Sequence, residues 1–553
     1  MTLKLEKYNN SLLFLPLGGA NEIGMNLNLY YYKGKFLVID LGIGFADKNL
    51  PGVDIILPKI KFLEQYKKDI VGMVLTHAHE DHIGGVPYLF EHFDCPIYTT
   101  KFTAEVLKTK LAEFDIAMEI PMVIVDSGQD IQIGPFNVEM VGITHSIPEM
   151  HGVVIKTEFG NVFHTGDWKL DPDPIVGNTS DEKRLKELGD KGVLALVCDS
   201  TNIFNEVHSG SEGELSKSLE TLMSANKTGL LVVTTFSSNI ARLHSIAAAA
   251  AQNGRRIVLL GRSLWRLYNA ALNTGYLEGI KPFLTGKQMK QFSRDELVVI
   301  CTGCQGETLA ATNKMANNEH PDVKIEKGDT IIFSSKIIPG NEKKIYALLN
   351  IFCKMGIEVL TERDHFVHVS GHPSRAEVSK MYDLLRPKIS IPVHGEAMHL
   401  HEHCKVALSK GVKYAIEVEN GALIDISAEN PHKITNVDSG YLAVDGNTII
   451  DATNGILKER KIAGENGVII VVLMINNRYM LIKKPKILSI GLLDAKNDSE
   501  LVGFLSGEIF ENFTSMKKKD NKSISDSVIS FVKKCIKRER GKSPFVVVQI
   551  EKS

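Results

Sequence analysis

The sequence predicts an α/β protein of more than one domain, and three observations carry that reading. The first third alternates short apolar runs, at residues 12–16, 36–40, 70–75 and 138–143, with turn residues and a helical stretch over 105–114. The middle is more helical. Stretches at 216–224 and 240–252, the second with alanine at every position from 247 to 251, alternate with strands at 230–235 and 256–260, the pattern of a small α/β domain. Composition shifts again near residue 440, at Asp438, Ser439, Gly440 and the turn-rich Asp445, Gly446 and Asn447.

The elements follow in order. Residues 70–75 are apolar, short and bounded by a polar turn, so they form a buried strand that delivers its C-terminal end to a site. Residues 366–369 look strand-like and close the middle region near Asp364. Beyond 440, residues 467–475 and 478–482 flank Asn476 and Asn477 as a hairpin. Ile524, Val528, Phe531, Val532 and Cys535 share one helical face, and 545–550 is a final strand; this tail is a small α+β domain with no catalytic cluster.

At 553 residues, two or three domains are expected. A hydrophobic fraction of 44% and a charged fraction of 24% are ordinary for a globular chain. Residues 1–10 have no apolar core and no run of eighteen apolar residues occurs, so neither a signal peptide nor a membrane span is expected. Seven scattered cysteines predict free thiols and a cytoplasmic protein. A net charge of −2 decides nothing about a polyanionic substrate. Arg255, Arg256, Arg262, Arg266, Lys343 and Lys344, and the lysines at 517, 518 and 519, are read as solvated.

The chemistry concentrates directly after the strand at 70–75. His77, His79, Asp81 and His82 lie within six residues, a two-metal hydrolase signature. His77 and His79 can share one metal, while Asp81 and His82 open the next segment and reach a second. Each metal needs three or four donors, and one carboxylate usually bridges the pair. His145 and Asp167, each following a strand, are candidates for the missing positions.

This order of residues, with Asp40 ahead of it, resembles the metallo-β-lactamase superfamily. Asp199 in Cys198-Asp199-Ser200-Thr201-Asn202 resembles motif A of the β-CASP nucleases, His372 resembles motif B, and His394 in Pro392-Val393-His394-Gly395-Glu396 resembles motif C. Further motifs at 17–24, 235–239, 261–263, 302–307, 338–342 and 368–372 are similar, over nearly the whole length, to the bacterial ribonuclease J family. Departures are mild: Trp168, Cys304 and Pro373 differ from the common residues, and none is a ligand.

The resemblance implies a metallo-β-lactamase αββα sandwich with an inserted β-CASP α/β domain and a small C-terminal α+β domain. The expected division is 1–208 and 365–440 for the sandwich, 209–364 for the insertion, 441–465 for a linker and 466–553 for an oligomerising C-terminal domain. It also implies two Zn²⁺ per chain, with Mn²⁺ as the other candidate. His77, His79 and His145 would hold one ion, Asp81, His82 and His394 the other, with Asp167 shared and Asp40 orienting a ligand. His372, supported by Asp199, would protonate the leaving oxygen. His368, Val369, Ser370, Gly371 and His372, faced by Ser237, Ser238 and Asn239, would bind a substrate phosphate, although Ser237 to Asn239 also suit a helix cap.

The expected activity is 5′-to-3′ exonucleolytic cleavage of single-stranded RNA, preferably 5′-monophosphorylated, with endonucleolytic cleavage as a second mode, in RNA maturation and mRNA decay. The expected assembly is a homodimer or homotetramer, with RNA-degradation partners. The alternatives are a DNA-processing β-CASP nuclease, a small-molecule hydrolase of the same fold, and a non-catalytic RNA-binding scaffold. Two features are set aside: Cys301 and Cys304 as a metal or redox pair, and His399, His401 and His403, whose helical spacing scatters them around a surface or interface helix.

Overall fold

A computed structural model describes residues 4–47, 49–114, 116, 120–494, 496–514 and 520–552. Lys517, Lys518 and Lys519 lie outside the described residues. The chain divides into two compact units, Met1–Gly44 with Leu57–Gly440, and Phe45–Ile56 with Tyr441–Ser553.

The first unit is built on two large sheets, one of eight strands and one of seven. Their facing sides share one core. Phe14, Tyr30, Leu37, Ile39 and Val74 come from the first sheet, and Val138, Met140, Val153, Ala195, Val197 and Ile391 from the second. The second sheet's other side buries Phe163, Leu196 and Cys198 against helices Glu182–Lys191, Arg375–Leu385 and Ala397–Ser409. Val193–Asp199 is therefore covered on both faces, which is why it reads as an unbroken apolar run instead of an alternating one. This is the layered sandwich that the resemblance implies.

The insertion carries a separate, wholly parallel five-stranded sheet. Its order is Arg256–Leu260, Leu297–Cys301, Leu231–Thr234, Thr330–Phe333, Glu358–Leu360. Parallel neighbours need long crossovers, and helices such as Ile240–Gln252 and Glu342–Lys354 supply them. The expected bounds 240–252 and 256–260 match the observed elements.

Residues 366–369 are not a strand. The Val367 carbonyl takes hydrogen bonds from Ser334 Oγ and Arg242 Nη1, and the Ser370 amide donates to the Ser209 carbonyl, so these groups are used by side chains and a loop instead of a ladder. Arg255 is not a solvated cation either. It is buried, with its guanidinium donating to the carbonyls of Gly229, Leu297 and Asn226.

In the second unit, Val468–Ile475 is the central strand, antiparallel to Lys486–Ile490 and parallel to Phe545–Lys552. Its alternate residues Ile469, Val471, Leu473 and Ile475 pack with Leu505, Ile509, Ile524, Val528 and Val532 of helices Ser499–Thr514 and Asn521–Arg540. The expected hairpin at Asn476 forms only a tight turn with one bridge, Ile475 to Leu481, and the strand that pairs is the later one. Residues 441–465, expected as a linker, hold the hairpin Tyr441–Asp445/Thr448–Asp451 and most of helix Gly455–Asn466. Ala443 and Leu457 share a small core with Val53 of the 45–56 segment. All seven cysteines are free, and among the described residues no helix is long and apolar enough to cross a membrane.

Candidate metal centre and its acid pair

Strand direction assembles the site. Gly160–His164, Val193–Asp199 and Ile389–Val393 are adjacent and parallel, so their C-terminal ends present Asp167, Asp199 and His394 at one edge of the second sheet. Phe136–Gly142 runs the same way through two antiparallel pairings and ends before His145. From the first sheet, Ile70–Val74 leads into Thr76 and His77, and the short helix Glu80–Ile83 carries Asp81 and His82.

The ring nitrogens converge in two groups. His79 Nδ1 lies 3.0 Å from both His77 Nε2 and His145 Nε2. His394 Nε2 lies 3.0 Å from Asp81 Oδ2, and His82 Nε2 is 3.6 Å from the same oxygen. Asp167 stands between them. Its Oδ2 is 3.2 Å from His82 Nε2 and 3.9 Å from both His77 Nε2 and His145 Nε2, and its Oδ1 is 3.7 Å from His394 Nε2. Ligand-type atoms of His77, His79, His145 and Asp167 lie within 4.8 Å of one another, as do those of Asp81, His82, Asp167 and His394.

Four rings have their outer nitrogen committed to the protein. Thr76 Oγ1 holds His77 Nδ1 at 3.0 Å, the Gly371 carbonyl holds His145 Nδ1 at 2.6 Å, Asp40 Oδ2 holds His82 Nδ1 at 2.7 Å and Thr201 Oγ1 holds His394 Nδ1 at 2.6 Å. Such bonds fix the ring orientation and turn the inner nitrogen toward the cluster, where a cation can take the place of a proton. The residues fit a metal pair on a further count. Asp167 Oδ1 is buried with no hydrogen-bond partner, a costly arrangement for a carboxylate that a cation would relieve.

Charges divide the same way. Burial pushes His77 and His145 well below the ordinary imidazole range and His79 to about 4. Burial acts in the same sense on His82 and His394, but the Asp167 and Asp81 carboxylates outweigh it, raising His82 well above the usual value and His394 to about 9. Burial raises Asp167, and the surrounding His394, His82 and His372 rings reverse that and hold it well below the usual carboxylate range. Clustered perturbed groups of this kind mark a functional site.

Two non-glycine residues here adopt left-handed backbone, Asp40 at φ +63° and His394 at φ +52°. Each is tied down. The Asp40 amide donates to the Val74 carbonyl and its Oδ1 accepts the Thr76 amide; the His394 amide donates to the Gly19 carbonyl.

Beside the metal cluster, His372 Nδ1 lies 2.8 Å from Asp199 Oδ2. Burial lowers the His372 pKa, but the Asp199 and Asp167 carboxylates overcome it and raise the net value. His372 Nδ1 is thereby committed to Asp199, while the ring as a whole is partly exposed.

The phosphate-site candidates divide. Asn239 does not face the cleft. It is buried at the start of helix Ile240–Gln252, where its Oδ1 accepts the Arg242 amide and its Nδ2 donates to Glu212. Val369 is also buried, and Ser370 Oγ is held by Asn202 Nδ2 at 2.7 Å. His368 remains a candidate. Its Nδ1 is enclosed without a partner, and burial, then Arg242, Lys336 and Lys169, keep the ring neutral. Ser237 lines a cleft of about 250 Å³ with Ser263, Thr302, Cys304 and Glu307. Sequence reasoning missed Thr76, Thr201, Asn202 and Asn26, whose Nδ2 sits 3.0 Å from His82 Nε2; no spacing signals bonds made across so much chain.

Residues 26–223 match the metallo-beta-lactamase superfamily and 228–352 the ribonuclease J beta-CASP domain. Residues 356–418 match the Zn-dependent metallo-hydrolase RNA specificity domain and 455–553 the ribonuclease J C-terminal domain. The chain is 40% identical to ribonuclease J of Sinorhizobium meliloti over 98% of both chains. It is 33% identical to ribonuclease J of Thermus thermophilus over 96% of this chain and 94% of that one, and 32% identical to that of Helicobacter pylori over 97% and 79%. A crystal structure of a protein of unknown function from Enterococcus faecalis shares the fold, with a TM-score of 0.52 at 17% identity, covering 75% of this chain and 99% of that one. With four successive domain matches and full-length relatives above 30% identity, the chain belongs to the ribonuclease J family.

Proposed function

We propose that this chain is a two-metal ribonuclease that degrades single-stranded RNA from the 5′ end, with internal cleavage as a second mode, in RNA maturation and mRNA decay. The carrying observation is Asp167, whose carboxylate stands within 3.9 Å of nitrogens from both histidine groups. His77, His79 and His145 would hold one ion and Asp81, His82 and His394 the other, with Asp167 shared. When bound, two Zn²⁺ or Mn²⁺ ions supply Lewis acidity that lowers the pKa of water towards neutral and draws charge from the phosphodiester.

The protein's own groups complete the reaction. His372 carries a proton at its second ring nitrogen, the one not held by Asp199, and delivers it to the leaving 3′-oxygen, while Asp199 orients the ring and stabilises its protonated form. The products are a 5′-phosphate and a 3′-hydroxyl. His368, Ser370 and Gly371, with the hydroxyls of Ser237 and Ser238, would bind one substrate phosphate in preference to three.

The inserted domain, residues 209–364, supplies the second wall of the cleft. Its helix Arg262–Asn273 is joined to the sandwich by Arg266 to Glu80 and Glu113, Asn273 to Glu105, and the following Tyr276 to Glu149. Residues after 440 mediate assembly of a cytoplasmic homodimer or homotetramer. The test is cleavage of 5′-labelled and internally labelled RNA and matched DNA, with and without chelator: RNA-selective, chelator-sensitive release of mononucleotides supports this reading, and preference for DNA supports a DNA-processing nuclease.

A further inference from the structure

We propose that His403 is a positioning residue for the general acid, acting through Ser200 on the turn that carries Asp199. Of the three histidines on helix Ala397–Ser409, only His403 is fully buried. His401 is exposed and paired with Glu417, and His399 lies edge-on to Phe204. His403 Nδ1 is 2.9 Å from Ser200 Oγ and its Nε2 is 2.9 Å from the Tyr382 hydroxyl, which is 2.5 Å from Ser390 Oγ. Four elements thereby meet in one buried polar chain: the turn after Val193–Asp199, helix Ala397–Ser409, helix Arg375–Leu385 and strand Ile389–Val393.

A buried chain of polar groups is costly unless every member is satisfied, and when satisfied it fixes geometry. What it fixes here is Ser200, whose two neighbours face the site. Asp199 Oδ2 holds His372, while Thr201 Oγ1 bonds Asp199 Oδ1 at 2.7 Å and His394 Nδ1 at 2.6 Å. From the other side the turn is packed by Gly395, where a Cβ would fall 3.1 Å from Ser200 Cβ. His403 thus anchors the turn from inside the protein. Asp199 is also held by its pairing with Val393 and by the Thr165 hydroxyl, so His403 is one of several anchors of the turn; loosening it shifts the Asp199 carboxylate relative to His372, and misplacement by an ångström costs on the order of 10²-fold in rate.

The proposal rests on the nuclease reading and on His372 as its acid, and leaving-group dependence tests it. The substrates are 5′-monophosphorylated RNA, whose 3′-oxygen must be protonated, and bis(p-nitrophenyl) phosphate, whose nitrophenolate leaves without a proton. We expect His403→Ala to lower kcat on RNA by about 10- to 100-fold, with KM within about threefold and metal content unchanged, while turnover of the aryl diester falls less than about threefold. Ser200→Ala, which deletes a single hydroxyl, should show the same split should His403→Ala fold poorly. His403→Gln, which can offer a donor and an acceptor, should restore most of the RNA rate, and His401→Ala should match the wild type. Equal losses on both substrates, loss of metal, or unchanged RNA turnover in both His403→Ala and Ser200→Ala would overturn the proposal. A wild-type chain that cleaves the aryl diester but no RNA removes the nuclease reading and this proposal with it, and the wild-type control reveals that case directly.

Discussion

Asp199 links His372 to the histidine–carboxylate cluster: one carboxylate oxygen lies 2.8 Å from His372 Nδ1, and the other takes the hydroxyl of Thr201, which also bonds His394. The two histidines are stacked, with ring centroids 5.6 Å apart, and the proposed function gives them different work. His372→Ala should lower turnover by roughly 10²- to 10⁴-fold with metal content near normal. His394→Ala should instead reduce occupancy of one metal. Elemental analysis beside single-turnover kinetics checks both, and metal loss in the first variant with retention in the second would show the roles exchanged.

Asp81→Ala should abolish cleavage and leave the fold intact. The residue sits on a short helix at a strand end, partly exposed, and outside the core clusters. Circular dichroism and thermal unfolding should match the wild type while metal content falls. Collapse of the fold would mean the site is also a structural keystone.

Gly42→Ala tests how tightly that helix is held. A Cβ at this position would fall 1.7 Å from the Asp81 carbonyl oxygen, so the backbone that carries Asp81 and His82 must move. We expect weaker metal binding by equilibrium dialysis and a loss of activity that excess metal partly restores. Wild-type affinity would show that the loop yields elsewhere.

Stability should fall in acid through Glu212. Its carboxylate is buried against Arg242 and Asn239; burial raises its pKa, but the Arg242 guanidinium wins and holds the net value below the usual range. A depressed folded pKa means this contribution is complete above the unfolded value of about 4.3 and is lost as pH falls through the lower folded value. Glu212→Gln leaves the buried Arg242 unpaired, which should cost about 3–5 kcal/mol near neutral pH and flatten the acid limb. Chemical denaturation at several pH values measures both. An unchanged acid limb in the variant would contradict the assignment.

The proposed assembly through the tail has a candidate surface in one face of the C-terminal sheet. Leu488 and Ile490 are exposed beside half-buried Val468, Ile470 and Val472 on the central strand. Ile490→Glu with Leu488→Glu should shift a dimer or tetramer towards smaller species in analytical ultracentrifugation. Unchanged mass would place assembly elsewhere or rule it out.

What the sequence revealed depended on range. His77, His79, Asp81 and His82 are legible because their geometry is local: a strand end, an extended turn and one helical turn. His394, more than 300 residues from Asp81, has no local signature and was reached only through family resemblance. Thr201 and Asn202 were named only as part of the 198–202 motif, and their bonding roles were not legible because their partners lie 193 and 168 residues away. His403 was misjudged for a related reason: spacing tells which residues share a helix face, but not which face the adjoining strand turns inward. Residues 366–369 alternate like a strand, yet Arg242 and Ser334 claim the Val367 carbonyl first. Asn239 was equally suited to a cap or a phosphate, and Glu212, 27 residues away, decided it.

Whether two metals shared through Asp167 drive RNA hydrolysis from the 5′ end is decided by one time course. Full-length protein is given the same single-stranded RNA bearing a 5′-monophosphate or a 5′-triphosphate, beside matched DNA, each with metal and with chelator. We expect about two ions per chain, mononucleotides released fastest from the monophosphate, slower release from the triphosphate and from DNA, and none after chelation. Undiminished cleavage by metal-free protein, or equal rates on all three substrates, would contradict that expectation.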